Sequence, residues 1–410
     1  MSRTGIFASA PLYYCLPVTV IPQVATADDV VAAREILREV ISPTPVLYSR
    51  VLTELVGGPV YLKAENLQRT GSFKVRGGYV RIARLGDADR ARGVVAASAG
   101  NHAQGVALAA SMLETSATVV MPERAPLPKV QATKAYGADV TLHGNSVEDA
   151  VEEALAVAER TGAIFIHPFN HPDVVAGQGT VGFEIIEQCP QVKTILVPVG
   201  GGGLAAGIAI AVQSLDPAIR VVGVRAESAA IRAHTTIADG IAVSEVGELP
   251  AAILSSLGAR MTTVSEAGLS RALLLCLERA KQVVEPAGAA AVAALLEHPG
   301  EFEPPVVAVL SGGNIDPLLL SKLLRRGLTA AGRYLAFRCR LPDQPGSLAG
   351  LLGAVASLGA NVLEVSHERL APGLLVDEVE VVLQVETRGP DHREEVEAAL
   401  RAAGYALAFR

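Results

Sequence analysis

The chain has 410 residues, half of them hydrophobic and 19% charged, with a formal net charge of −7. That apolar content excludes a largely disordered chain, and the acidic balance excludes nucleic acid as the main partner, because phosphate binding needs a basic face. No run of eighteen residues escapes glycine, proline or charge in the way a membrane-crossing helix requires, and the four cysteines form no CxxC pair, which fits a reducing, cytoplasmic setting without structural zinc.

Residues 1–27 read as an N-terminal extension. Arg3, an apolar stretch and Val24-Ala25-Thr26-Ala27 have the outline of an export signal, but Pro11, Pro17 and Pro22 interrupt it. From Asp28 an acidic first turn followed by apolar residues at 3.6-residue spacing predicts a helix. Short apolar runs then alternate with Ala-rich stretches. Strands are predicted at 93–97, 117–121, 138–142, 194–199, 220–226 and 306–310, with helices at 101–113 and 129–136 among those between them. This alternation predicts an α/β body with mainly parallel sheets and helices on both faces. Beyond 327–332 (Gly-Leu-Thr-Ala-Ala-Gly) the order becomes strand 334–341, helix 347–358, strand 361–370, strand 376–386, helix 391–403 and strand 404–409. That βαββαβ order is ferredoxin-like. With seven Arg against eleven Asp and Glu, residues 334–410 hold more than half of the net charge and read as a separate acidic domain.

Four segments carry candidate chemistry. Lys74, in Gly71-Ser72-Phe73-Lys74-Val75-Arg76-Gly77-Gly78, is set among glycines that allow close approach to backbone. A desolvated lysine amine there can form a Schiff base near neutral pH. Ser98-Ala99-Gly100-Asn101-His102, between a strand and a helix, can hold an anion on backbone N–H groups, although Ser98 or Asn101 could equally be an ordinary cap. Gly200-Gly201-Gly202-Gly203-Leu204 follows a strand and opens a helix. Four glycines cost folding entropy, as expected where backbone wraps a phosphate. Ser311, in Ser311-Gly312-Gly313-Asn314, ends a buried strand where ligands of parallel sheets bind, and its hydroxyl can donate to a ring nitrogen. The glycine run also admits a dinucleotide fingerprint, Gly200-x-Gly202-x-x-Ala205, with Glu227 further on. A dehydrogenase of that kind leaves Lys74 unexplained.

In combination these segments, with Thr44-Pro45, Glu65-Asn66-Leu67-Gln68 and Glu285-Pro286-Ala287-Gly288, resemble the fold-type II pyridoxal-phosphate enzymes. The chain looks most like the threonine ammonia-lyases (threonine dehydratases) that carry one C-terminal ACT domain, over roughly residues 30–410. The resemblance implies a catalytic domain over 28–330, with a smaller mobile subdomain at roughly 65–165, and a regulatory ACT-like domain over 334–410. Lys74 would carry pyridoxal 5'-phosphate, with Phe73 and Asn101 against its ring and phenolic oxygen. Gly200, Gly201, Gly202, Gly203 and Leu204 would hold the phosphate, and Ser311 the ring nitrogen. Ser98, Gly100 and His102 would receive the substrate carboxylate. Asp343, Gly346, Ser347 and Leu348, with Asn361 at the start of the next strand, would bind an amino-acid effector. The implied reaction is β-elimination of L-threonine, and also of L-serine, to a 2-oxo acid and ammonia, in a homodimer or homotetramer. A serine racemase-like enzyme and a non-catalytic amino-acid sensor are the alternatives. No metal site is expected, since the histidines lack ligand spacing and Glu227 reads as a solvated or capping carboxylate.

Overall fold

A computed structural model describes residues 24–231, 236–370 and 373–409, so most of the extension lies outside the described residues. The first helix, Ala27–Leu37, begins with a capping box. Thr26 accepts from the Asp29 N–H, and the Asp29 carboxylate accepts from the Thr26 N–H. The acidic first turn thus satisfies N–H groups that have no helical partner.

The larger sheet has six strands, in the order Val46–Tyr48, Val60–Lys63, Val306–Val309, Thr194–Pro198, Arg220–Ala226 and Arg260–Val264. Only the first pair is antiparallel. Val306–Val309 and Thr194–Pro198 are buried along their whole length, which is why they read as continuous apolar runs rather than alternating ones. A second sheet is parallel throughout, in the order Asp139–Leu142, Ala117–Met121, Val94–Ala97 and Ile164–Phe165. Helices that pack on these sheets approach one another through glycine. A Cβ on Gly207 would lie 2.3 Å from the Val175 carbonyl oxygen, and one on Gly177 would lie 2.7 Å from the Gly77 Cα. The mainly parallel α/β fold is therefore as the sequence indicates.

A four-residue ion cluster ties together the strand Val60–Lys63, the short helical turn Glu65–Leu67 and the helices Lys74–Ala83 and Pro172–Gln188. Arg76 contacts Glu65 at 2.8 Å and Glu184 at 2.6 Å, and Lys63 contacts Glu184 at 2.6 Å. Thr44 donates its hydroxyl to Glu65 and accepts Lys63 on its carbonyl. Two cations face two carboxylates in the interior, so the charge balances where an unpaired ion would be costly.

The C-terminal sheet is antiparallel, in the order Asn361–Glu368, Glu378–Glu386, Tyr334–Pro342 and Ala408–Phe409. This is the ferredoxin-like order, and its helices Ser347–Ser357 and Pro390–Ala402 fall where the sequence puts them. The last strand is much shorter than 404–409. Gly404 takes φ +91°, and the Tyr405 N–H bonds back to the Leu400 carbonyl, so the turn that ends the helix uses up the strand's first residues. Among the described residues no helix is long and apolar enough to cross a membrane.

Candidate active site

The C-terminal ends of the larger sheet's central strands and the loop after Val94–Ala97 enclose a cavity of about 580 Å³. All of Phe73, Lys74, Ser98, Gly100, Asn101, His102, Gly200, Gly201, Gly202, Gly203, Leu204 and Ser311 line it. The topology explains the convergence. Strand Val306–Val309 pairs with Val60–Lys63 and Thr194–Pro198, so the loops after all three strands meet at one edge, where ligands of parallel sheets bind.

Lys74 is the first residue of the helix Lys74–Ala83. Its Nζ donates to the Pro168 carbonyl at 2.9 Å and lies 5.2 Å from the Phe73 ring centroid. Burial lowers its pKa to about 8 against the opposing pull of Glu285. The side chain therefore has an accessible neutral, nucleophilic form close to neutral pH. The neighbouring glycines do not serve the pocket. Gly77 meets Gly177 and Gln178, and Gly78 meets Gly105, so they let the lysine's helix pack against two others.

The glycine run is shaped for an anion. Gly202 is the N-cap of the helix Gly203–Leu215, with φ +89° and no side-chain cap. Among the described residues, none of the N–H groups from Gly200 to Leu204 donates to a protein acceptor. The run also has no room for side chains. A Cβ on Gly201 would stand 2.1 Å from the Phe169 ring, and one on Gly202 would stand 2.6 Å from Val246. The segment after Ala238 folds over it, with the Gly247 N–H on the Gly201 carbonyl at 3.1 Å. Unspent donors at a helix N-terminus beside a half-buried lysine amine fit a phosphate-bearing aldehyde. The Ser311 hydroxyl adds a donor with no protein partner among the described residues.

At the other helix N-terminus, the N–H groups of Ala99, Asn101 and His102 are likewise unspent, while that of Gly100 donates to the Ser98 hydroxyl at 3.1 Å. His102 differs from a simple side-chain ligand. Burial, then Lys74, holds it neutral with a pKa of about 3, so its Nε2–H donates to the Ile166 carbonyl at 2.8 Å. What His102 offers the pocket is its main-chain N–H.

Sequence reasoning assigned no role to a group of polar side chains around Asn101. Buried Glu285 accepts from the Asn101 amide at 2.5 Å. Burial, then Asp239, raises its pKa to about 7 in spite of Lys129, Asn101 and Lys74. Lys129 pairs with Asp239 at 2.7 Å. Burial opposes its charge, but Asp239 and Glu285 outweigh burial and raise its pKa.

In the C-terminal unit, Asp343, Gly346, Ser347 and Leu348 share one strand-to-helix junction, where Gly346 takes φ +97° and Asp343 pairs with Arg369 at 2.9 Å. Asn361 is not with them. It pairs with Glu386, which also faces Tyr334, whereas Pro342 faces Glu378 at the far end of the sheet. Eight residue steps separate the two places, about 26 Å at strand rise. Within one chain these five residues do not form one site. Glu227 is exposed at the start of the short helix Glu227–Ile231.

Residues 37–312 match the family model described as pyridoxal-phosphate dependent enzyme. An L-threonine ammonia-lyase of Thermotoga maritima is 46% identical over 393 residues, 93% of this chain and 98% of that protein. A solved threonine deaminase from T.th. is 42% identical with a TM-score of 0.67, covering 71% of this chain and 99% of its own. A solved maize serine racemase is 33% identical with a TM-score of 0.70, covering 74% and 98%.

Proposed function

The chain belongs to the pyridoxal-phosphate dependent enzymes, and within that family we propose that it is a threonine ammonia-lyase, releasing 2-oxobutanoate and ammonia from L-threonine, and pyruvate from L-serine. The observation that carries the reading is Lys74, a half-buried amine whose pKa desolvation lowers to about 8, in the same pocket as an unspent run of glycine N–H donors. The likeness to a relative that spans nearly the whole chain supports the choice of substrate.

In this reading Lys74 would hold the cofactor aldehyde. Gly200 to Leu204 would hold its phosphate, Ser311 would donate to its ring nitrogen, and Phe73 and Asn101 would lie against the ring. When bound, the cofactor supplies an electron sink for the pair released from the substrate Cα–H bond. Lys74, displaced by the substrate amine, accepts that proton as a neutral base, a role its lowered pKa suits. Ser98 and the main chain of residues 99–102 orient the substrate carboxylate on a helix N-terminus. The segment folded over the glycine run shields the site from bulk water, and the proton taken up by Lys74 can pass to the β-hydroxyl, which leaves as water. Hydrolysis of the released enamine then gives the 2-oxo acid and ammonia.

The C-terminal unit is an ACT-like regulatory domain in this reading. Its effector site would form between copies of a dimer or tetramer, where the Asp343–Leu348 junction of one copy could meet Asn361 of another. Among the described residues, three buried free thiols suit a reducing, cytoplasmic setting.

The test is a visible spectrum of the purified protein before and after L-threonine, with products trapped by a keto-acid reagent. A band near ~410–420 nm that responds to threonine, with 2-oxobutanoate released, is the expected result. D-serine formation from L-serine without any 2-oxo acid would instead favour a racemase, and a protein that stays colourless with added cofactor would overturn the reading.

A further inference from the structure

Asn101 lines the pocket, but a carboxamide can present either a donor or an acceptor to it. Two neighbours decide which. The Asn101 Oδ1 accepts from Asn314 Nδ2 at 2.8 Å, and the Asn101 Nδ2 donates to the Glu285 carboxylate at 2.5 Å. Asn314 is itself oriented, because the same Nδ2 donates to the Thr70 carbonyl at 2.6 Å, with Gln104 Oε1 more distant at 3.5 Å. A backbone carbonyl accepts and never donates, so it places the nitrogen of Asn314, and Asn314 then places the oxygen of Asn101.

Two further features support this chain of contacts. Thr70 has φ +62°, a left-handed conformation that is unfavourable for a β-branched residue. Such outliers persist where surrounding structure over-determines them. Thr70 is followed by a glycine at which a Cβ would stand 2.4 Å from Asn314 Oδ1, and the Gly313 N–H bonds to the Gly71 carbonyl at 2.8 Å. The strained turn just before Lys74 and the loop after Ser311 are thus packed together around the Asn314 side chain. With one Nδ2 hydrogen given to Glu285, the second has no acceptor among the described residues.

We infer that Asn314 and Glu285 are positioning residues that lock the Asn101 amide with its Nδ2 as the donor into the pocket, in a polarity chain that starts at the Thr70 carbonyl. The inference rests on the reading that Asn101 meets the cofactor, whose ionised phenolic oxygen accepts hydrogen bonds. A flipped amide would set oxygen against oxygen there.

The test uses full-length protein freed of cofactor and titrated with pyridoxal phosphate, reading dissociation constant and absorption maximum. Asn101→Ala, Glu285→Ala and Asn314→Ala should each weaken binding about tenfold, the scale of one charge-assisted hydrogen bond, and move the band. Neither Glu285→Ala nor Asn314→Ala should add to Asn101→Ala in a double variant, since all act through one amide. Glu285→Gln, which keeps an acceptor oxygen, should retain the wild-type band. Additive double variants, or an unmoved band in Glu285→Ala and Asn314→Ala beside a shifted Asn101→Ala, would overturn the relay and spare the reading. An unmoved band and affinity in Asn101→Ala would overturn both. If Glu285→Ala does not fold, Asn314→Ala from the opposite end of the chain decides the same question.

Discussion

At Lys74 desolvation disfavours the ammonium and leaves a neutral amine accessible at about pH 8. In cofactor-free protein, modification of this amine by an acylating reagent should rise with pH and level off above about 8. An ordinary lysine would keep gaining reactivity to about 10.4. The sign follows from burial disfavouring the charged form. Lys74→Ala should abolish turnover and the visible absorption together, and retention of either would remove the lysine from its assigned role. Gly201→Ala places a methyl group inside the Phe169 ring contact, so the cradle must deform. A loss of cofactor affinity of tenfold or more is expected, measured by equilibrium dialysis. These residues were legible because lysine is scarce and four glycines in a row need a reason. Glu285 was legible only as part of the Glu285–Gly288 motif, without a role, and Lys129 was not legible. An acid before Pro286 looks like an N-cap, which Glu285 is by position though it makes no side-chain cap bond. Lys129 finds its partner Asp239 only through the tertiary fold.

Elements meet here through buried charge and through glycine, and the two kinds of contact fail differently. Among the described residues, Arg76→Met would leave Glu184 paired with Lys63 and Glu65 without an ion-pair partner. A destabilisation of about 3–5 kcal/mol is expected for such an uncompensated buried charge, read from the urea midpoint. Gly207→Ala needs no charge to do harm. Its Cβ would press on the Val175 carbonyl and on Gly179, forcing two helices apart at a cost of about 1–3 kcal/mol. Apolar runs made the buried strands readable in sequence, and acidic first turns did the same for helix starts. The glycines of packed helices misled, because Gly77 beside a reactive lysine looks like room for a ligand and is in fact room for Gly177. Strand Ile164–Phe165 is too short to show any period.

Taken whole, the molecule is an α/β body with a small antiparallel sheet at its end. The two join through the helix Pro317–Ala330 and Gly332, whose carbonyl accepts the Thr387 hydroxyl, and through an Arg333–Glu278 pair. The solved threonine deaminase that covers only 71% of this chain is itself covered over 99% of its length, so a body of that extent stands as a chain of its own. A protein ending at Ala331 should therefore keep the visible band and threonine turnover, and lose any response to an added amino-acid effector, as steady-state assays across the amino acids would show. Unchanged regulation would remove the effector role from the C-terminal sheet. Its strand order was readable from alternation of apolar residues, whereas the separation of Asn361 from Asp343 was not, because it depends on register.

The pairing of Val60–Lys63 with Val306–Val309 also sets a timetable for synthesis. The strand that leads to Lys74 leaves the ribosome some 240 residues before the strand that will cover its edge. At translation speeds of about 5–20 residues per second, that edge waits on the order of 10–50 s. Throughout that interval the nascent chain lacks strand Val306–Val309, which lies between Val60–Lys63 and Thr194–Pro198, and Ser311, whose carbonyl accepts the Phe73 N–H. Completion of the cavity is thereby postponed until nearly the whole body has been made, and an unpaired strand edge must be kept from other nascent chains until then.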